Sequence, residues 1–189
     1  MLRVALAFTV LAVLAAPAAA APERYAIEAD KSTVAFAWDF GRDEVTGRMP
    51  LSRADLVIDF ADVGRSRVDV AVDVTGAEAG FPFATQAMKG PKVLDARHFP
   101  EIVFVSRRVR RDGAGALIEG DITIRGVTRP ARFSAEIYRQ KGSAEGDLTH
   151  LSVLLTGAVS RAEFGASGWS DMAGDEVRLR ILARIARAE

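Results

Sequence analysis

Apolar and polar side chains alternate along most of this chain, and that alternation constrains its fold more than any other feature. The clearest run has valine at positions 68, 70, 72 and 74, with small or polar residues between them. Because successive side chains of a β-strand point to opposite faces, this pattern predicts a strand with one buried face. The same test predicts strands within 34–40, 56–60, 118–124, 133–137, 151–159 and 177–185. Residues 102–105 are apolar on both faces, which predicts a strand covered on two sides or lying beside a loop.

Short turn signals separate these runs, as antiparallel hairpins require. They lie at 41–43, 62–64, 112–113, 125–126, 141–142 and 174–175. The pattern shows none of the spacing of a strand–helix–strand unit, so the fold class is all-β with an antiparallel sheet. A sheet of about eight strands tends to curl and close, because closure removes its exposed edges. The chain is therefore expected to form a barrel.

One insertion, at about 76–100, breaks the alternation. Its apolar residues follow no period of two, and 83–89 could form two helical turns that Gly90 and Pro91 would end. A long apolar insertion in a small β domain is either a plug packed on the barrel end or a mobile lid. The sequence leaves both alternatives open.

The first twenty residues have the composition of a signal peptide. Arg3 supplies a positive start, an apolar run extends from Val4 to Ala16, and Pro17 precedes three alanines. That run is shorter than the roughly 20 residues of a membrane-spanning helix. The sequence therefore predicts a signal peptide at 1–20, export to the periplasm, and a single barrel domain at 21–189. With no cysteine in the chain, no lipid anchor through cysteine is expected.

Composition and motifs argue against catalytic or metal chemistry. The 25 basic and 25 acidic residues balance, whereas a nucleic-acid-binding protein would carry a basic excess. The two histidines, His98 and His150, have no neighbours at metal-ligand spacing. Common catalytic motifs are missing from the sequence. No enzyme activity, metal site or nucleic-acid partner is expected.

The apolar faces of the strands could instead surround a cavity. A closed sheet would point many large side chains at one interior, among them Phe36, Phe104 and Phe133. Barrels of about eight strands either fill themselves with side chains or hold one small ligand. Interior volume decides between these outcomes, and both stay open at this point.

Several separated segments resemble the YceI-like family, which consists of exported proteins with a lipocalin-like barrel. The resemblance covers 23–187, and its segments follow the family's order: 25–27, 32–36, 45–47, 88–95, 99–106, 120–130, 160–165 and 174–177. It implies an antiparallel eight-stranded lipocalin-like barrel with a short helical or irregular insertion at about 76–100. The chain departs from the family pattern at Glu28-Ala29, Lys31, Phe40 and Met49, positions that bear on ligand identity.

The resemblance also implies a ligand, a polyisoprenoid or an isoprenoid quinone held in the apolar bore. The expected function is lipid transport or sequestration in the periplasm, with no cofactor besides this non-covalent ligand. The alternative is a filled barrel that acts as a partner of a membrane redox or envelope-stress protein. Arg161 is expected either to contact a ligand headgroup or to form a salt bridge with Glu163 or another carboxylate. The candidate ligand-binding residues are Phe36, Trp38, Phe83, Met88, Phe104, Ile122, Ile124, Phe133, Leu155, Arg161 and Trp169.

Overall fold

The alternating runs form the strands of one antiparallel sheet in a computed structural model of the chain, which describes residues 21–139, 142–144 and 146–188. The strands are β1 (Glu23–Ile27), β2 (Thr33–Phe40), β3 (Asp43–Met49), β4 (Leu51–Ile58), β5 (Arg67–Asp73), β6 (Glu78–Ala79), β7 (Glu101–Asp112), β8 (Gly115–Ile124), β9 (Val127–Arg139), β10 (His150–Ser160) and β11 (Ala173–Arg187). The helix is α1 (Pro82–Lys89), within the predicted insertion. Short 3-10 turns occupy Ala29–Lys31, Val63–Arg65 and Ala162–Phe164. The predicted signal peptide at 1–20 lies outside the described residues.

The sheet closes because β11 is long enough to pair with both β1 and β2. Ile185 near its end pairs with Ile27 of β1, and Leu179 pairs with Phe36 of β2. β1 and β2 are thus two halves of one bent strand, interrupted by a 3-10 turn. β3 and β4 form a second bent strand around Pro50, since β3 pairs with β2 and β4 pairs with β1. With each bent pair taken as one strand, and with the two-residue β6 counted as an edge pairing on β3 outside the barrel, the predicted eight-stranded barrel is confirmed.

One end of the barrel is closed by side chains and by the β4–β5 connection. The Tyr25 hydroxyl donates to Leu148 O at 2.9 Å, and its ring packs edge-on against Phe60. Burial raises the pKa of Tyr25. The Asp59 carboxylate, only 1% exposed, accepts hydrogen bonds from the backbone N–H groups of Ala61 and Asp62. A buried carboxylate with backbone donors holds its loop in one conformation.

The second Asp59 oxygen, Oδ2, lies 3.4 Å from Arg65 Nε. It has no hydrogen-bond partner among the described residues. We take the contact with Arg65 as an ion pair rather than a hydrogen bond, because the separation is long for an N–H donor.

The other end carries α1 and the β10–β11 connection. The helix packs Ala84 and Met88 inward, whereas Phe81 and Phe83 stay exposed. The insertion therefore combines a packed side with an exposed aromatic side, and neither a plug nor a lid describes it fully. No helix in the described ranges is both long and apolar enough to cross a lipid bilayer.

One local expectation is wrong, and one of the two alternatives for 102–105 is excluded. Residues 174–175 lie within β11 rather than in a turn, and the backbone N–H of Arg161 donates to Asp175 O at 2.9 Å. The strand at 102–105 is not covered on both faces, because Val105 points outward and is 44% exposed. The turn expected at 141–142 includes Lys141, which lies outside the described residues.

Candidate functional site

The inward faces of the strands enclose an apolar cavity of about 310 Å³. This volume is at the lower end of the roughly 300–1,000 Å³ typical of small-molecule sites. Every barrel strand contributes apolar side chains to the lining. Among the described residues that line it, the polar side chains are those of Ser66 and Arg161. The Ser66 hydroxyl oxygen already accepts a hydrogen bond from the Asp59 backbone N–H at 3.0 Å.

The exposure of residues in the middle of the strands shows that the barrel is hollow. Val70, Leu155, Leu179 and Ile181 all point inward and line the cavity, yet each is only partly buried. In a close-packed centre these side chains would have lost nearly all of their accessible surface. The sequence left open whether the barrel is filled or hollow. The partial exposure of these side chains shows open space between the walls.

Phenylalanine rings lie back against the wall where a strand carries glycine. A β-carbon on Gly157 would come within 2.7 Å of Phe133 Cδ1, so the ring occupies the place of a side chain. A β-carbon on Gly47 would likewise meet the ring of Phe36, which pairs directly with Gly47 across β2 and β3. The rings thereby bury apolar area without crossing the lumen.

A third such pair lies on β7 and β8, beside the pair on β9 and β10. A β-carbon on Gly120 would come within 2.7 Å of Phe104 Cζ. The Phe104 and Phe133 rings meet edge to face with centroids 5.0 Å apart, an arrangement that aromatic pairs favour. Four neighbouring strands, β7 to β10, are thus joined along the inside by two aromatic rings.

The cavity opens at the end of the barrel that carries α1. Phe81, Phe83 and Trp169 line it there and are 44%, 58% and 43% exposed. Phe83 from the helix and Trp169 from the β10–β11 connection pack edge to face, with centroids 5.8 Å apart. Trp169 has a φ of +63°, in the left-handed region that a bulky residue rarely adopts. We call Phe81, Phe83, Trp169 and the adjacent Met172 the mouth residues.

Arg161 holds the connection that carries Trp169. Its guanidinium donates to four backbone carbonyl oxygens, those of Ala166, Gly168, Ala173 and Gly174, at 2.6–2.8 Å. The expected salt bridge with Glu163 or another carboxylate is wrong, because these carbonyl groups of the connection surround the guanidinium instead. Gly168 immediately precedes Trp169, so Arg161 positions the tryptophan at the mouth. A guanidinium has five N–H donors, and these four carbonyl groups leave one of them unused.

The structure places all of the candidate ligand-binding residues around this one cavity. By element they are Phe36 and Trp38 on β2, Phe83 and Met88 on α1, Phe104 on β7, Ile122 and Ile124 on β8, Phe133 on β9, Leu155 on β10, and Arg161 and Trp169 in the β10–β11 connection. Their role in binding a ligand stays a prediction. Sequence reasoning missed Val70 and Val153 as lining residues, although the alternation pointed to their inward face. It also missed Phe81, for which the sequence pattern carried no signal.

The histidines lie away from the cavity lining. His98 is exposed and its Nδ1 lies 3.0 Å from Asp95 Oδ1, and His150 is exposed at the start of β10. Within the described ranges, no group of three or more His, Cys, Asp or Glu side chains could hold a metal ion. The chemistry that the cavity itself offers is apolar contact.

The model of the YceI-like domain matches residues 25–185. The chain belongs to the YceI-like family. Among curated relatives, a UPF0312 protein of Vibrio parahaemolyticus is 30% identical over 97 residues, 51% of each chain. Protein YceI of Escherichia coli is 27% identical over 74 residues, 39% of each chain. The chain thus spans about half the length, or less, of these curated relatives.

Solved structures show that the family barrel is shared. Burkholderia cenocepacia BcnA superposes with a TM-score of 0.75 at 18% identity, over 84% of this chain and 99% of that one. A YCEI protein of Campylobacter jejuni superposes with a TM-score of 0.61 at 20% identity, over 76% of this chain and 84% of that one. At these identities the likeness concerns the fold.

Proposed function

We propose that this YceI-like protein binds an isoprenoid lipid inside its barrel and carries or sequesters it. The ligand is a polyisoprenoid or the tail of an isoprenoid quinone, and the protein works in the periplasm after export by its leader at 1–20. The observation that carries the proposal is the open apolar cavity of about 310 Å³. Each CH₂ group moved there from water gains about 0.8 kcal/mol, so several isoprene units bind without a polar site.

The lining also sets the direction in which such a lipid enters. Ser66 and most of the Arg161 donors are occupied by the protein's own backbone. A buried polar headgroup without a partner would cost more than its apolar tail gains from a few carbons. The tail therefore enters first and the headgroup stays at the mouth, within reach of the free Arg161 N–H.

The alternative of a filled barrel that works only through its surface does not agree with the cavity. A membrane redox partner remains compatible with a quinone-carrying barrel, because such a partner could receive the lipid. No catalytic step by the protein itself is part of the proposal.

Mass spectrometry of an organic-solvent extract of the purified native protein tests the proposal. We expect an isoprenoid in the extract of the wild type and none above background in the Leu155→Trp variant, whose indole would occupy the lumen. Leu154→Trp is the matched control, since the neighbouring side chain lies on the outer face of the same strand. An extract without lipid, together with no thermal shift on adding quinones or polyprenols, would contradict the proposal.

A further inference from the structure

Exposed apolar side chains are concentrated at the mouth. Phe81, Phe83, Trp169 and Met172 are 43–58% exposed. Single exposed apolar residues are ordinary on a protein surface, whereas a contiguous group marks an interaction site. The Phe83 and Trp169 rings touch, and the Met172 backbone N–H donates to Trp169 O at 3.0 Å, so the group is contiguous.

This apolar surface continues into the cavity. Phe81, Phe83 and Trp169 each have one part exposed to solvent and another part in the cavity lining. An apolar chain that passed from outside into the barrel would contact these three rings first. Whatever covers the mouth must therefore be able to present an apolar molecule to it.

A basic flank lies on the helix side of the mouth, formed by Lys89, Lys92, Arg97 and Arg125. Lys89 Nζ donates to Thr75 O at 2.6 Å, and the nearby Asp73 carboxylate offsets part of its charge. The Lys92 carbonyl accepts from the Gly168 N–H at 2.8 Å, which brings this flank beside Trp169. The chain as a whole has no net charge, so the concentration of cations is local.

Arg125 belongs to this flank although it comes from the β8–β9 turn. Its Nη1 donates to the carbonyl oxygens of Pro91 and Val93, on either side of Lys92. The one acidic residue within 82–100 is Asp95, whose carboxylate faces His98. With Asp73 beside Lys89, the three remaining cations outnumber Asp95.

Acidic residues lie on the other side of the mouth. Glu163 and Asp171, both exposed, belong to the β10–β11 connection. An anionic surface would be attracted more strongly to the helix side than to the connection, where the apolar Trp169 and Met172 make the contact. The charges therefore define an orientation as well as an attraction.

We propose that this end of the barrel docks on an anionic lipid bilayer through the mouth residues and the basic flank. Aromatic rings with polar surroundings are suited to the boundary between headgroups and acyl chains, and basic residues beside them bind anionic headgroups. This inference rests on the proposed function only for the cargo that would cross the mouth. The lipid is then transferred without passing through water.

Flotation of the full chain with vesicles tests the docking. We expect the wild type to float with vesicles of phosphatidylcholine and phosphatidylglycerol, and much less with phosphatidylcholine alone. Lys92→Glu/Arg97→Glu and Phe81→Ser/Met172→Ser should each weaken vesicle binding by about tenfold or more. Arg110→Glu/Arg180→Glu, with the same charge change on the outer barrel, and Val105→Ser/Tyr138→Ser should bind like the wild type.

The docking proposal is overturned if the mouth and control variants bind vesicles equally. It is also overturned if the wild type stays unbound, as it would if the mouth recognised a protein instead of a bilayer. Titration with farnesol in solution separates this outcome from a failure of the cavity. Lys92→Glu/Arg97→Glu should bind farnesol like the wild type, whereas Leu155→Trp should lose farnesol and still float with vesicles.

Discussion

The ring of Phe133 covers Gly157 on the inner wall, where a β-carbon would lie 2.7 Å from the ring. The contact spans β9 and β10, since Thr156 pairs with Ser134 and the next residues face each other. A side chain of any size at 157 would move the ring or the strand, because β-carbons do not approach other atoms so closely. The glycine therefore allows a large aromatic side chain to border the lumen without closing it.

We expect Gly157→Ala to destabilise the barrel by about 1–3 kcal/mol and to weaken lipid binding. The added methyl group meets Phe133 and also Arg132 O, which a β-carbon would approach to 2.7 Å. Denaturant unfolding measures the first effect and farnesol titration the second. Gly80→Ala is the control, since its nearest atom would be Thr46 O at 3.6 Å. Equal stability of the two variants would contradict this account of the wall.

We expect Arg161→Lys to loosen the β10–β11 connection. A lysine ammonium is a compact donor and cannot span four carbonyl oxygens. Hydrogen bonds from a charged group contribute about 1.5–3 kcal/mol each when made in a partly buried site, so the melting temperature should fall by several degrees. Hydrogen exchange should accelerate at Met172 and Ala173, whose N–H groups donate to Trp169 O.

The exposed Arg180 on β11 provides the control for this substitution. Arg180→Lys changes the same functional group without a carbonyl cluster, and we expect its melting temperature and exchange rates to match the wild type. Unchanged exchange in Arg161→Lys would show that Arg161 does not hold the connection.

Stability should fall in acid because several carboxyl groups are hydrogen-bonded in the folded barrel. The hydrogen bond from Arg178 lowers the pKa of Asp39, and hydroxyl hydrogen bonds from Thr75 and Ser160 lower the pKa of Asp73 and of Asp175. A lowered folded-state pKa gives stability that is present above the unfolded value of about 3.9 and is lost as pH falls through the folded value.

The melting temperature should therefore be nearly constant between about pH 7 and 5 and decrease below about pH 4. Asp39→Asn should reduce this acid-dependent loss slightly, because the carboxylate is exposed and its pairing with Arg178 is screened. A melting temperature that rises as the pH is lowered below about 4 would contradict the sign of these shifts.

Alternation predicted the strands well because it reports directly which face of a strand is apolar. The run at 68–74 became β5 apart from its last residue, and Val68, Val70 and Val72 line the cavity together with valines of β10. The same argument placed Phe36 and Leu155 inside before any pairing was known. Barrel closure then follows from the number of strands, and the family resemblance supported it.

Features that depend on a specific partner outside the strand itself could not be predicted from the alternating pattern. The partners of Arg161 are carbonyl groups, which have no sequence signature, so a carboxylate partner was expected instead. Gly174 reads as a turn residue, yet it lies opposite Asp39 at the start of a long strand. Val105 has an apolar side chain on an outer face that nothing in the described residues covers fully.

The hollow centre could not be predicted from the sequence, because cavity volume depends on how side chains pack. The Phe–Gly pairs decide it, and they bring together residues on neighbouring strands that are up to 24 positions apart, as in Phe133 and Gly157. A glycine in a strand suggests a bulge or a close approach, without saying to what.

Calorimetric titration with farnesol tests the central claim most directly, that an isoprenoid chain occupies the lumen. The wild type and Leu154→Trp should bind with similar affinity, and Leu155→Trp should show no binding while it stays folded. The result that would contradict the account is a wild type that releases no heat and shows no thermal shift with farnesol, or a Leu155→Trp variant that binds as well as the wild type.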